Sequence, residues 1–317
     1  MDRTSKIIQD VFANTSLRQF ETDLSQLHSQ IDESEQRVPG IKPDNQARIV
    51  WAEAGTRRKT LYSLVYLHGL TACQADGAPI HTDVARRYGY NLYLSRLHGH
   101  GIESVDALCD LTPENFLESA VRAVNIGQAI GERVILMASS AGAMLALIIA
   151  SQRPEIAGLV LYSPMIDFRR FSSAILTFPF GRTVARLLLG GNRIETNDPE
   201  DIQRYWNSDF RIEALCATKR LIRLTMNRST FAKVCQPLFV GYYFKNAREQ
   251  DERVSVSRIL EMFGQTGTPE HLRRLVAFPD ARCHAIGASL LNKDIDVVRR
   301  ATYHFVEEVL GLPRHAR

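Results

Sequence analysis

Short apolar runs alternate with amphipathic stretches along most of the chain. The runs that predict strands cover residues 47–51, 61–67, 91–97, 133–139, 158–162, 237–243 and 275–278. Helical spacing of apolar residues predicts helices over 80–88, 113–127, 141–151, 214–226, 257–263 and 296–310. Short, almost continuously apolar strands separated by helices are typical of a parallel sheet buried on both faces. The sequence therefore predicts an α/β fold with a mostly parallel central sheet covered by helices on both faces.

Two stretches depart from this alternation and divide the chain into three parts. Apolar residues recur at roughly helical spacing between positions 10 and 36, and Pro39-Gly40 ends that pattern. Residues 166–235 are mixed and largely helical, between two predicted strands. We predict an N-terminal helical extension over 1–40, a core over 41–165 and 236–317, and a helical cap over 166–235, above the carboxyl edge of the sheet.

Composition and charge exclude several classes of function. The 317 residues are 45% hydrophobic, and 39 basic against 35 acidic side chains give a formal net charge of +4. Because the charges alternate instead of clustering, no nucleic-acid partner is expected. Five scattered cysteines without CxxC spacing argue against disulfides or a zinc site. The polar first 30 residues and the interrupted apolar run 134–150 predict a cytoplasmic protein without stable membrane insertion. The oligomeric state stays open.

The end of one predicted strand carries a candidate nucleophile. The strand over 133–139 runs directly into small residues and an apolar helix, and Ser140 is flanked two positions away by Ala138 and Gly142. A sharp strand-to-helix turn needs small residues at those positions, and it exposes the hydroxyl at the start of the helix. In the alternative interpretation, Ser139 and Ser140 only cap the helix. Ser139 is a poorer nucleophile candidate because Met137, two positions before it, is not small.

A second strand ends in His68-Gly69-Leu70. A glycine at this point lets the chain fold back, so that the backbone amides of Leu70 and Ala141 can face the same point. Two converging amides would form an oxyanion hole. Without Ser140, the simpler interpretation would be an ordinary end of a strand, with His68 as a structural hydrogen-bond donor.

The candidate base is His284, which follows the last predicted strand and precedes the final helix. An imidazole has a pKa near neutrality and can accept the proton of a serine hydroxyl. The neighbouring Cys283 is discounted, since adjacent side chains seldom face each other. His98 and His100 have a spacing that could hold a metal, but no third ligand follows from the sequence. We predict no metal and no cofactor.

The candidate acid is Asp251, in the long loop after the strand over 237–243. An apolar anchor, Val254, follows it by three residues, and a helix comes next, which would point the carboxylate inward. Glu249 and Glu252 in the same loop are alternatives, and Asp167 after an earlier strand is another. Any one of these acids could instead be a surface residue.

These motifs together resemble the α/β-hydrolase superfamily, and among its members the monoacylglycerol lipase-like and serine aminopeptidase-like hydrolases. The resemblance covers about residues 47–310. It rests on His68-Gly69-Leu70, Gly99-His100-Gly101, Ala138-x-Ser140-x-Gly142, Asp251-x-x-Val254 and His284, with nucleophile, acid and base in that superfamily's order. There are two departures: Ala138-Ser139 stands where Gly-His or Gly-Gln is usual, and the acid loop is longer than usual.

The resemblance implies a serine hydrolase that cleaves carboxylic esters of small molecules through an acyl-serine intermediate. It implies Ser140 as the nucleophile, His284 as the base, Asp251 as the acid, and the amides of Leu70 and Ala141 as the oxyanion hole. Four apolar residues of the cap region are expected to line an acyl pocket or, alternatively, only to pack the cap: Leu176, Phe178, Phe180 and Leu187. The rival functions are amide cleavage by the same residues and a non-catalytic binding protein on the same scaffold.

Overall fold

A computed structural model describes residues 3–15, 23–104, 106–169, 193–196 and 198–314. Its strands are β1 (Arg48–Val50), β2 (Thr60–Leu67), β3 (Asn91–Leu94), β4 (Gly131–Ser139), β5 (Gly158–Tyr162), β6 (Arg193–Glu195), β7 (Asp209–Arg211), β8 (Leu238–Tyr242) and β9 (Arg273–Ala277). Its α-helices are α1 (Arg3–Asn14), α2 (Leu24–Gln36), α3 (Ile80–Tyr88), α4 (Pro113–Ile130), α5 (Ser140–Ala150), α6 (Glu200–Gln203), α7 (Glu213–Thr225), α8 (Arg228–Phe231), α9 (Val256–Gln265) and α10 (Ile295–His304).

Seven of these strands form one sheet, in the order β1-β3-β2-β4-β5-β8-β9. Every neighbouring pair is parallel except β1 with β3, where Arg48 lies opposite Leu94. The predicted fold class, a mostly parallel sheet with helices, is confirmed. The carboxyl ends of β2, β4, β5, β8 and β9 therefore share one edge, and in open α/β sheets the functional groups gather there.

Both faces of the sheet are buried, which explains why its strands are almost continuously apolar. In β2, Val65 and Leu67 point into a core formed with α4 and α5, whereas Leu64 and Tyr66 point into a second core with α3 and α10. Successive side chains of a strand face opposite sides. A strand covered on both sides is therefore apolar at almost every position, and the buried polar residue of β2, Ser63, donates its hydroxyl to the Gly127 carbonyl.

The N-terminal helices pack onto the first of these cores. Leu27 and Ile31 of α2 are buried in it. The Glu35 carboxylate accepts hydrogen bonds from Arg96 Nε at 2.6 Å and Nη2 at 2.9 Å, and from the Ala47 amide at 2.8 Å. Arg96 and Glu35 are 9% and 13% exposed, so this ion pair is largely shielded from water. It joins α2 to the loop after β3.

The described part of 166–235 is bonded to the loops at the same sheet edge. Asn207 is buried, and its amide N–H donates to the Thr71 carbonyl at 2.7 Å. Its side-chain Nδ2 donates to the Ile102 carbonyl at 2.8 Å. One buried asparagine thus joins this segment to the loops that follow β2 and β3.

The structure differs from the predicted elements in several places. β3 ends at Leu94, three residues before the end of the strand predicted over 91–97, and α4 continues three residues beyond the predicted helix over 113–127. β6 and β7 form a separate antiparallel pair, in a stretch where we expected helices. Each strand has three residues, which is too short for an alternating pattern to show in the sequence. The final helix is regular only as far as His304 and continues as a π-helical turn over Phe305–Val309.

Candidate active site

The turn between β4 and α5 has the sharp geometry that the small residues predicted. Ser140, the first residue of α5, has a φ of 53°, in the left-handed region that non-glycine residues rarely adopt. A Cβ added at Gly142 would lie 2.1 Å from the Leu67 carbonyl oxygen and 2.5 Å from that of His68. α5 therefore begins against the backbone at the end of β2, and a residue with a side chain would not fit at position 142.

His284 lies directly beside Ser140. Its Nε2 is 2.8 Å from Ser140 Oγ, and its Nδ1 is 2.7 Å from Asp251 Oδ2. A carboxylate oxygen can only accept, so Nδ1 carries the proton and Nε2 accepts from the serine hydroxyl. The backbone of His284 is held in turn, because Ser163 Oγ donates to its carbonyl at 2.7 Å. An imidazole in this arrangement can remove the serine proton as the oxygen attacks.

Asp251 reaches His284 because the long loop after β8 folds back on itself. Phe244 pairs with Gln250 in an isolated antiparallel bridge, so that residues 245–249 form a loop closed at its base. The Asp251 amide then donates to the Tyr243 carbonyl at 3.1 Å. Asp251 therefore lies beside Tyr243, the first residue after β8. In the sequence, eight residues separate Asp251 from Tyr242, the last residue of that strand.

Hydrogen bonds and charge keep the Asp251 carboxylate ionised despite its complete burial. Burial acts to raise the pKa of Asp251, but the neighbouring His284 and hydrogen bonds to the carboxylate outweigh it, so that the pKa is lowered. Its Oδ1 accepts from the amides of Arg253 at 2.9 Å and Val254 at 3.1 Å. Val254 is fully buried and anchors this turn, as its position in the sequence indicated.

The other acids considered from the sequence do not contact His284. Glu249 is exposed, accepts from Lys245 Nζ at 3.1 Å, and is bonded to Asn246. Glu252 is also exposed. Asp167 forms an ion pair with Lys219 at 2.5 Å.

The amides of Leu70 and Ala141 lie on the two turns that meet at Ser140. A Cβ added at Gly69 would lie 3.0 Å from Ser140 Cβ, so the turn after β2 rests against the serine. Ala141 is the second residue of α5, where an amide has no partner within its own helix. Within the described ranges, no hydrogen bond leaves the Leu70 amide.

His68 supports the turn that carries Leu70. Its Nδ1 lies 2.9 Å from the Gly69 carbonyl, and its Nε2 accepts from the Leu97 amide at 3.0 Å. Because the Leu97 amide is a donor, Nδ1 must carry the proton. Burial lowers the pKa of His68 to about 4, so the ring is neutral near pH 7. The structure places His68 as a hydrogen-bond donor within the fold.

Ser140 and His284 open into a cavity of about 620 Å³. Its described lining includes a group of buried or half-buried apolar residues and a group of exposed charged residues. The apolar group includes Leu70, Met165, Phe168, Trp206, Phe210 and Leu215, and the charged group includes Arg248, Glu249, Arg253 and Arg282. Trp206, Phe210 and Leu215 belong to the stretch 166–235. The four residues expected to line an acyl pocket, Leu176, Phe178, Phe180 and Leu187, lie outside the described residues.

The remaining candidates of the sequence analysis have other surroundings. His98 Nε2 pairs with Asp110 at 2.8 Å, and His100 is buried with its Nδ1 on the His98 carbonyl. Among the described residues, no three metal-binding side chains come together. Burial raises the pKa of Cys283 to about 12, so the thiol beside His284 is not ionised near pH 7.

Sequence reasoning missed one carboxylate at this site. Asp76 is buried, lines the cavity, and accepts a hydrogen bond from the Gly69 amide at 2.8 Å. It lies in the 3₁₀ turn Gln74–Gly77, which follows β2 and precedes α3. The only signal in the sequence is an acid seven residues after Gly69, in a segment otherwise poor in charge.

No protein-family model and no curated protein matches this chain. Solved structures of similar shape do exist. One, from the metagenome-derived lipolytic enzymes LipS and LipT, is 15% identical with a TM-score of 0.67, over 84% of this chain and 99% of that one. A soluble variant of monoglyceride lipase from Saccharomyces cerevisiae is 14% identical with a TM-score of 0.61, over 86% and 97%. Est1E from Butyrivibrio proteoclasticus, bound to ferulic acid, is 16% identical with a TM-score of 0.56, over 86% and 100%.

The chain has the α/β-hydrolase fold. In this α/β-hydrolase fold, Ser140 follows β4, Asp251 follows β8 and His284 follows β9, so the three side chains meet at the carboxyl edge of the sheet. Among the described residues, no helix is long and apolar enough to cross a membrane.

Proposed function

We propose that the protein is a serine hydrolase that cleaves carboxylic esters of small molecules through an acyl-serine intermediate. One observation carries this proposal: an uninterrupted hydrogen-bonded chain runs from Ser140 through His284 to Asp251 at the floor of a cavity. Such a chain is the arrangement that activates a serine hydroxyl for attack on a carbonyl. The lipolytic enzymes, monoglyceride lipase and esterase of similar fold support the ester as the substrate class.

In the first half of the reaction, Ser140 Oγ attacks the ester carbonyl carbon while its proton moves to His284 Nε2. The carbonyl π electrons move onto the oxygen, and the amides of Leu70 and Ala141 stabilise the resulting oxyanion. Asp251 holds the imidazole in the required tautomer and stabilises its positive charge. When the tetrahedral intermediate collapses, His284 delivers the proton to the leaving alcohol, and the acyl group stays on Ser140.

In the second half, a water molecule takes the place of the alcohol. His284 Nε2 accepts a proton from the water as its oxygen attacks the acyl carbon. Collapse of this second intermediate breaks the bond to Ser140, whose oxygen recovers the proton from His284. The carboxylic acid leaves, and the starting arrangement of the three side chains is restored.

We further propose that 166–235 forms a cap over this site. Support comes from its described residues, because Trp206, Phe210 and Leu215 line the cavity that contains Ser140. The bond from the Asn207 amide to the Thr71 carbonyl ties the same segment to the turn that carries Leu70. An apolar wall of this kind suits an acyl chain or an aromatic acyl group.

The test combines a serine-directed fluorophosphonate with turnover of p-nitrophenyl esters. The wild-type protein is expected to be labelled at Ser140, as located by peptide mass spectrometry, and to hydrolyse the esters. Ser140→Ala is expected to lose both activities. Ser63→Ala is the control: it removes a buried hydroxyl that donates to the Gly127 carbonyl, away from the carboxyl end of β2, and is expected to keep labelling and turnover.

Two outcomes would contradict the proposal. Absence of labelling and of turnover in the wild-type protein would favour a binding protein on this fold. Turnover of peptide amides without turnover of esters would keep the role of Ser140 and replace the substrate class.

A further inference from the structure

A second buried carboxylate, Asp76, lies beside Ser140 and has no part in the reaction described above. It is 2% exposed and forms part of the wall of the cavity. Its Oδ2 accepts from the Gly69 amide at 2.8 Å, and its Oδ1 accepts from the Tyr66 hydroxyl at 2.6 Å. Both carboxylate oxygens are therefore engaged, and one of them holds the backbone next to the proposed oxyanion hole.

We propose that Asp76 is a positioning residue for the oxyanion hole: its carboxylate fixes the Gly69 backbone so that the Leu70 amide points at the carbonyl oxygen of a substrate on Ser140. This inference rests on the proposed function, since it assigns a role within the same reaction.

The peptides on both sides of the Gly69 Cα are held by hydrogen bonds. On the preceding side, the Gly69 N–H donates to Asp76. On the following side, the Gly69 carbonyl accepts from His68 Nδ1 at 2.9 Å and from the Ala72 amide at 3.2 Å. A trans peptide is planar, so the Leu70 N–H must point opposite to this carbonyl. Fixing both peptides thereby fixes the direction of the Leu70 amide.

Glycine makes such external fixing necessary. It has more backbone freedom than any other residue, and Gly69 has no side chain to restrict it. Another residue would crowd the turn, because a Cβ at position 69 would lie 3.0 Å from both Asp76 Oδ2 and Ser140 Cβ, and these groups would have to give way. Glycine therefore allows the turn to lie close to Ser140, and the hydrogen bond to Asp76 restricts the backbone freedom of that glycine.

The cost of burying this acid argues against a role in packing alone. Burial raises the pKa of Asp76 to about 7. The titratable groups that face the carboxylate are Tyr66 from β2 and His284 from the loop after β9. The Gly69 amide and the Tyr66 hydroxyl donate to the carboxylate, and the Ser139 side chain also favours its charged form, which suits an acceptor-only ionised group. A site that needed only to be filled would be better occupied by a neutral side chain.

The experiment compares Asp76→Ala and Asp76→Asn with the wild-type protein in ester hydrolysis, with rates expressed per fluorophosphonate-titrated site so that only folded protein counts. In Asp76→Ala, kcat is expected to fall roughly 10- to 100-fold, less than for deleting an oxyanion donor, while KM changes less than about threefold. Asp76→Asn is expected to recover much of the loss, because its carbonyl can accept from Gly69 while its amide donates to Tyr66.

Thr302→Val is the structural control. It removes the buried hydrogen bond between Thr302 of α10 and the Tyr162 hydroxyl of β5, on the sheet face opposite α5. We expect it to lower stability without changing kcat per titrated site. An equal fall in kcat for Thr302→Val and Asp76→Ala would reduce Asp76 to a structural role. An unchanged kcat in Asp76→Ala, with an active wild-type protein, overturns this inference alone. An inactive wild-type protein overturns the proposed function and this inference with it.

Discussion

Replacing Gly142 with alanine is a direct test of the strand-to-helix turn that presents Ser140. The added Cβ would lie 2.1 Å from the Leu67 carbonyl oxygen, whereas real Cβ atoms essentially never approach another atom closer than 3.0 Å. The contact atom is backbone at the end of β2, so it cannot rotate away as a side chain could. α5 would have to shift by about 1 Å, although each of its residues is buried and closely packed.

Two effects of this shift can be estimated. Overpacking a core by one methyl group typically costs about 1–3 kcal/mol, and we expect the upper end or above because the clash is with backbone. Against a total stability of about 5–15 kcal/mol, such a loss is readily measured by urea denaturation. A misplacement of about 1 Å at the reacting oxygen is expected to slow fluorophosphonate labelling about 100-fold.

Gly264 provides the matched control, since it lies in α9 and a Cβ there would meet nothing within 4 Å. Gly264→Ala is expected to raise stability by up to about 1 kcal/mol, as alanine favours a helix more than glycine does. Its labelling rate should equal that of the wild-type protein. The reasoning would be refuted if Gly142→Ala resembled Gly264→Ala in both stability and labelling rate.

Three further predictions concern other parts of the molecule. Glu35→Gln leaves Arg96 without its charged partner in a shielded site and is expected to lower stability by about 3 kcal/mol in urea denaturation; a change below about 0.5 kcal/mol would contradict this. Because burial raises the pKa of Asp76 from 3.8 to about 7, the folded state holds a proton that the unfolded state releases. Stability in urea denaturation should therefore fall by about 3 kcal/mol between pH 4 and pH 7, relative to Asp76→Asn over the same range. Asp251→Asn should lower kcat about 10⁴-fold, as expected for a wrong imidazole tautomer, whereas Glu249→Gln should leave it nearly unchanged; the reverse result would move the acid to Glu249.

Much of the fold could be predicted because its strands are buried on both faces. The apolar runs at 61–67 and 158–162 differ from β2 and β5 by at most one residue at either end. Burial on both sides makes these runs almost entirely apolar, with Ser63 of β2 hydrogen-bonded to the Gly127 carbonyl as the exception, so the ends of each strand are visible in the sequence. β6 and β7 gave no such signal, since each has only three residues and Phe210 is the one buried residue among them.

The candidate site divides in the same way between local and distant constraints. Ser140 could be predicted because the need for small neighbours at a sharp turn is a local requirement, visible in Ala138 and Gly142. Asp251 followed from a weaker local signal, its distance from the anchor Val254. Asp76 had no signal beyond its isolation in a segment poor in charge, because its contact with the Gly69 amide depends on how the intervening turn folds back over seven residues. The conformation of that turn cannot be predicted from the composition or the spacing of its residues.

The pairing of Phe244 with Gln250 makes the position of Asp251 independent of the composition of the loop that precedes it. Residues 245–249, between the paired positions, form a loop closed at its base. The length and charge of this loop can vary without moving the carboxylate of Asp251, which follows it. Arg248 and Glu249 belong to this closed loop; both are exposed and line the cavity. Insertions or charge changes in 245–249 should therefore alter which molecules are admitted while the reacting groups keep their places. Counting residues from the end of β8 would locate Asp251 poorly in any protein that shares this design.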